Sequence, residues 1–295
     1  MLAYDPHDWW GHFFDIKGSM IVEITGRVMS CVLWAAVVVT LDKIFDIHWN
    51  VSTAAHSLVG VALGLLLVLR TNASYDRWWE GRKLWGSIIN ESRNLGRLAS
   101  VHLAGDAALC HAVLAWTAAF PAATMVRLRD GRGLGPAVGR VPAEEAAEVE
   151  AADHVPMAVA RKLTGLLVAA RDRGLISDYL LGTIDANIQL LVDYLGACER
   201  IHRTPLPFPY AVHVRRILVL YAFALPMALV DDYGWMTILA TLVVAYVFFG
   251  IEEIGVVIED PFGTDENDLP LEDFCKTIDA NLRQLGAEAE RSAAR

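Results

Sequence analysis

The chain has 295 residues, of which 55% are hydrophobic and 20% charged, with a mean hydropathy of +0.37. An ordinary soluble domain is about 45–50% apolar, so a soluble globule is disfavoured, and the charge content excludes a chain sunk wholly in lipid. A net charge of −10 excludes the basic face that neutralising phosphates requires, so nucleic acid is not a partner.

Near the start, Asp5, His7, Asp8, His12 and Asp15 give the wrong flank for a secretory signal peptide. Val28 to Leu41 is apolar and extends back to Ile21, which predicts a first membrane span. Thr53 to Leu69, closed by Arg70, predicts a second. Their linker carries Asp42, Lys43, Asp46 and His48. Tyr75 to Val101 then has helical spacing, with Trp78, Trp85, Ser92 and Ala99 seven apart and Ile88 and Leu95 on the same face. Ala107 to Leu128 predicts another helix. Gly131, Gly133, Gly135 and Pro136 break the pattern; no strand precedes them, which argues against a dinucleotide loop. Ala143 to Asp153 reads as an exposed linker or helix start. Val155 to Ala170 and Ser177 to Ile201 predict two more helices, the latter capped by Ser177 or Asp178.

Pro205, Pro207 and Pro209 mark the return to the membrane. Ile217 to Val230, preceded by Arg215 and Arg216, and the nineteen uncharged residues from Tyr233 to Ile251 predict two further spans around a tight turn at Asp231, Asp232 and Tyr233. Eighteen of the twenty-five Lys and Arg residues lie from Arg70 to Arg216, between the second and third spans. That places the middle segment and both termini in the cytoplasm. The expected architecture is all-α, one channel-like domain over 1–295. It has transmembrane hairpins at about 21–69 and 211–258, and a cytosolic helical bundle at about 70–210 and 259–295.

Catalytic chemistry is not apparent. The nine histidines and four cysteines form no close metal-ligand motif, and no nucleophile elbow is present. The cysteines read as reduced thiols. Asp265, Glu266, Asn267 and Asp268 suggest a calcium loop, but Leu269 and Pro270 break the EF-hand pattern and a capped, hydrated turn is the simpler reading. On the second span, Val61, Leu65 and Leu69 fall at i, i+4 and i+8. Either they face lipid or packing partners, or several copies of the helix surround an axis and the stripe forms an apolar constriction. Gly60 and Gly64, in GxxxG spacing, would let such helices approach closely. Asp42, Asp46, Asp231 and Asp232 face the non-cytoplasmic side against Lys43 alone. Repeated around an oligomer, these acids would concentrate cations at an outer mouth.

The segment Arg70-Thr71-Asn72-Ala73-Ser74-Tyr75-Asp76-Arg77-Trp78-Trp79-Glu80 resembles the hallmark of bestrophins. So do Ile251-Glu252-Glu253-Ile254-Gly255, continuing through Ile258-Glu259-Asp260-Pro261-Phe262-Gly263 to Asp268-Leu269-Pro270-Leu271, and Cys198-Glu199-Arg200-Ile201 with Thr204-Pro205-Leu206-Pro207-Phe208. The resemblance implies a homopentamer in a cell membrane, a bacterial inner membrane, with one central pore. It implies a neck at Val61, Leu65 and Leu69, wholly aliphatic here, and a cytosolic aperture at Tyr179, where isoleucine or valine is usual. It also implies a calcium clasp whose carboxylate positions fall on Asp265 and Asp268, with the acidic run diluted by Glu266 and Asn267. The function expected is a channel for small monovalent ions, sodium or another cation ahead of chloride, and not an enzyme. The competing readings are a chloride channel of the same architecture, or a non-conducting membrane scaffold or membrane enzyme.

Overall fold

A computed structural model describes residues 7, 10–11, 19–49 and 51–293. Asp5, Asp8, His12 and Asp15 lie outside the described residues. Among those described, the chain is all-α, with nine long or medium helices and no strand. They form two compact units: one from residues up to Trp78 and from Pro205 to Asp260, the other from Trp79 to Thr204 and from Pro261 onward. The units divide at Trp78–Trp79, Thr204–Pro205 and Asp260–Pro261, against expected boundaries of the membrane and cytosolic parts near 69–70, 210–211 and 258–259.

The first unit contains α1 (Ile21–Phe45), the start of α2 (Thr53–His102), α7 (Phe208–Tyr233) and α8 (Met236–Val257). Asp46 ends α1 in the left-handed region (φ 55°), its N–H returning to the Leu41 carbonyl. The expected tight turn at Asp231 to Tyr233 is instead the last turn of α7. The chain reverses at Gly234, whose φ of 51° suits the residue without a Cβ. Inside this unit Ile24, Val28, Cys31, Leu63, Leu67, Val214, Leu218, Ala222, Ala245 and Phe249 pack together. Outside it Leu33, Val37, Leu220, Leu239, Val243 and Val247 are exposed. Because lipid tails are as apolar as leucine, outward apolar groups cost nothing in a bilayer; shape complementarity specifies the interior. Pro226 interrupts α7 without leaving its surroundings bare. Trp34 Nε1 donates to the Phe223 carbonyl (2.9 Å) and Thr53 Oγ1 to the Ala228 carbonyl (2.8 Å).

The span ending at Leu69 and the helix from Tyr75 are one uninterrupted 50-residue helix, α2. Nothing between them breaks it, since residues 70–75 include no glycine or proline. Its length is about 75 Å at about 1.5 Å per residue, well beyond the roughly 30 Å hydrocarbon. The predicted buried face is present: Trp85, Ile88, Ser92, Leu95 and Ala99 are all fully buried.

The second unit holds the rest of α2, α3 (Ala107–Leu128), α4 (Ala143–Glu150), α5 (Val155–Asp172), α6 (Asp178–Arg203) and α9 (Leu271–Ala293). Among the described residues five helices are long and apolar enough to cross a membrane. The fifth, α3, differs from the others: 78% of its most apolar stretch is buried within the chain, against 17–33% for α1, α2, α7 and α8. It is apolar all round because α5, α9 and the short 3-10 turn Gly135–Arg140 all pack on it. The glycine triplet is turn chemistry: Gly133 and Gly135 have φ of 114° and 55°, and the Leu134 N–H donates to Glu150 Oε1 at 2.8 Å.

Candidate functional site: an apolar stripe and its supports

Val61, Leu65 and Leu69 are 65%, 63% and 61% exposed. Their helix neighbours Leu63 and Leu67 are buried at 1%. The stripe therefore projects from the face of α2 opposite the unit's interior, and none of the described residues covers it. Asn72 and Asp76 continue the same exposed face beyond it.

Gly60 makes its close approach within its own chain. A Cβ there would lie 2.6 Å from the Tyr221 hydroxyl, and the Tyr221 ring stacks on His56 with centroids 4.2 Å apart. Gly64 has nothing within 4 Å of such a Cβ. Within the chain, Gly60 thus serves the α2–α7 contact, and Gly64 is left open.

The expected outer acidic mouth is also altered. Asp42 is buried, with Lys43 Nζ 2.9 Å from its Oδ2 and His48 Nδ1 3.6 Å from its Oδ1. Asp46, Asp231 and Asp232 are exposed. The αL cap at Asp46 turns the linker so that His48 comes back to Asp42.

Tyr179 lies in the first turn of α6 and is 82% exposed. Ser177 Oγ caps that helix by accepting the Leu180 N–H. The tyrosine ring is free to meet another surface, as an aperture residue would be.

Asp265 and Asp268 are joined through the backbone of their turn. Asp268 is buried and its Oδ2 accepts the Asp265 N–H at 2.7 Å, while the Asp268 N–H donates to the Asp265 carbonyl. That is the capped turn. Neither residue belongs to a group of three metal-ligating side chains among the described residues. The loop is held instead by Arg129, whose Nε donates to the Phe262 and Gly263 carbonyls (3.2 and 3.1 Å) and whose guanidinium pairs with Glu272. The Arg129 hydrogen bond holds the Glu272 carboxyl below its usual range. All four cysteines are free and buried. Burial, reinforced by neighbouring acids, pushes Cys198 and Cys275 up to about 12, so neither is a ready thiolate.

One feature of the first unit escaped the sequence reading. Glu252 is buried and accepts from Arg70 Nη1 (2.5 Å), Arg215 Nε (3.0 Å) and Arg27 Nη1 (3.4 Å). Glu253 takes Arg27 Nη1 at 2.6 Å. Arg70 is only 1% exposed. Helices α1, α2, α7 and α8 each contribute a charge to this cluster. The signal was present as acids ending one uncharged span and arginines ending others, but their mutual contact depends on the fold.

Four apolar helices with outward-facing hydrocarbon surface define a multi-pass membrane protein. The family model for bacterial and fungal bestrophin proteins matches residues 1–284, and the chain belongs to that family. A voltage-dependent anion channel-forming protein of Synechocystis is 36% identical over 284 residues, covering 95% of this chain and 92% of the relative. One of Nostoc is 38% identical over 281 residues, covering 94% and 91%. A crystal structure of a bacterial bestrophin homologue from Klebsiella pneumoniae superposes with a TM-score of 0.82 at 29% identity, covering 90% of this chain and 98% of that one. The curated relatives are named for channel formation and not for catalysis.

Proposed function

We propose that this chain is the pore-forming subunit of a homopentameric ion channel, in which α2 lines the axis and Val61, Leu65 and Leu69 form the neck. The observation that carries the reading is the exposed aliphatic stripe at i, i+4 and i+8 on a helix that outruns the membrane. Ions do not shed hydration against methyl groups, so a narrow ring of such side chains gates by dewetting. Tyr179 would form the second, cytosolic constriction. The concentration of Lys and Arg between Arg70 and Arg216 supports cytoplasmic termini in a bacterial inner membrane.

The permeant species we favour are small monovalent anions such as chloride, following the names of the relatives. The exposed acids Asp46, Asp231 and Asp232 carry a second reading, sodium or another cation. Reversal potentials in asymmetric NaCl, measured on purified protein in planar bilayers, decide between them. A shift toward the chloride equilibrium value supports the first; a shift toward sodium overturns it. In liposome flux assays Leu65→Ala should raise flux several-fold by widening the neck. The lipid-exposed Val243→Ala should leave flux unchanged. No flux from the wild-type protein would instead support a scaffold or an enzyme.

A further inference from the structure

We infer that Asp42, His48 and Asp231 form a binding site for a zinc-class divalent cation, at the end of the first unit where α1 and α7 finish. One ligand atom from each residue lies within 4.8 Å of the other two. Carboxylate oxygen and imidazole nitrogen are both zinc ligands, and three protein ligands leave one position open.

Three further observations point to a cation. Asp42 Oδ1 is buried and accepts no hydrogen bond, although its side chain is only 2% exposed. A buried carboxylate oxygen normally has a partner. His48 Nδ1 lies 3.6 Å from that oxygen, too far for a hydrogen bond. It is close to the roughly 3.4 Å edge that two ligands subtend at bond lengths of about 2.1 Å in a tetrahedral site. On the other side of the ring, Nε2 lies 3.5 Å from Asp46 Oδ1. That places a carboxylate behind the imidazole, on the side where a metal-bound histidine has its outer partner.

The backbone adds to this. Asp42 is in the last turn of α1 and Asp231 in the last turn of α7, so two helix C-termini, the negative ends of their dipoles, converge on the site. Lys43 now supplies the positive charge, at 2.9 Å from Asp42 Oδ2. Its side chain is 39% exposed and its stem crosses Gly234, where a Cβ would sit 3.6 Å away. The ammonium can swing to solvent when a divalent ion enters. The open position left on a three-ligand ion would face water.

The test uses the full-length protein in detergent, with CoCl2 as a spectroscopic probe and ZnCl2 as competitor. The expected result is one Co2+ per chain, with visible absorption of four-coordinate intensity that ZnCl2 abolishes. His48→Ala and Asp231→Asn, both at exposed positions, should each weaken binding by at least about tenfold, and Asp46→Asn by about tenfold. Asp265→Asn should not change it. Absence of Co2+ binding to the wild type, unchanged binding in His48→Ala and Asp231→Asn, or a loss confined to Asp265→Asn would each overturn the assignment. None of these readouts requires ion flux, so failure of the site and failure of the channel reading are distinguishable.

Discussion

Replacing Glu252 with glutamine should destabilise the protein far more than replacing any arginine that touches it at the surface. The carboxylate serves three guanidinium groups, and they do not lose equally. Arg27 keeps Glu253 at 2.6 Å, and Arg215, whose side chain is 54% exposed, can turn to water. Arg70 is 1% exposed, and its other acidic neighbour, Glu259, is 4.0 Å from Nη2. The charge left uncompensated is thus that of Arg70, and breaking a buried pair by removing one partner costs about 3–5 kcal/mol. Arg215→Gln removes a half-exposed contact worth about 0–1 kcal/mol. Glu252→Gln with Arg70→Met should recover much of the loss, because it removes the buried charge that the single variant leaves unpaired. The assay is the temperature at which half of the native size-exclusion peak survives in detergent, compared across the three variants. Equal depressions for Glu252→Gln and Arg215→Gln, or a double variant no better than Glu252→Gln alone, would refute the claim that Arg70 carries the penalty.

Gly60→Ala places a methyl 2.6 Å from the Tyr221 hydroxyl and should cost about 1–3 kcal/mol in the same assay. Gly60→Ala with Tyr221→Phe, which removes the clashing oxygen, should recover part of it. Glu272 predicts a pH dependence. Its folded-state pKa is depressed by Arg129, so its stabilisation is present above the unfolded glutamate value of about 4.3 and lost as pH falls through the lower folded value. The difference in melting temperature between wild type and Glu272→Gln should therefore be measurable at pH 6 and should shrink as pH falls below the unfolded glutamate value. Since Glu272 is half-exposed, that difference should be small and should shrink in high salt.

The sequence made the helices legible wherever a pattern was self-contained. The span from Tyr233 to Ile251 announces itself by lacking charge, and the seven-residue spacing of Trp85, Ser92 and Ala99 identified the buried face of α2 without any partner being known. Arg70 was illegible for the opposite reason. At the end of an apolar run an arginine reads as a snorkelling terminus, and only Glu252, 182 positions away, explains why it is buried and why α2 continues through it. Asp42 failed similarly. As a linker acid it reads as solvated, yet the left-handed cap four residues later returns His48 to it. The glycine pair suggested a helix approach, but the sequence held no sign that Tyr221 would claim Gly60. In each case the missing information was a long-range contact.

Exposure alone does not separate a pore lining from a lipid-facing surface, since Val243 and Val247 on α8 are about half-exposed as well. The distinction comes from what each helix does past its apolar stretch. Helix α8 ends at Val257, after a length about sufficient to span hydrocarbon once. Helix α2 carries the face bearing Val61, Leu65 and Leu69 straight on into Asn72 and Asp76, with no break in its hydrogen bonding, and then for some seven further turns. A face whose only neighbour was lipid would have no use for that continuity. A wall shared by several copies would, because hydrated ions leaving an apolar neck then meet polar side chains on the same helix. For that reason the Leu65→Ala and Val243→Ala comparison is more informative than either variant alone: both remove exposed aliphatic volume, and only the one on the continuous wall should change flux.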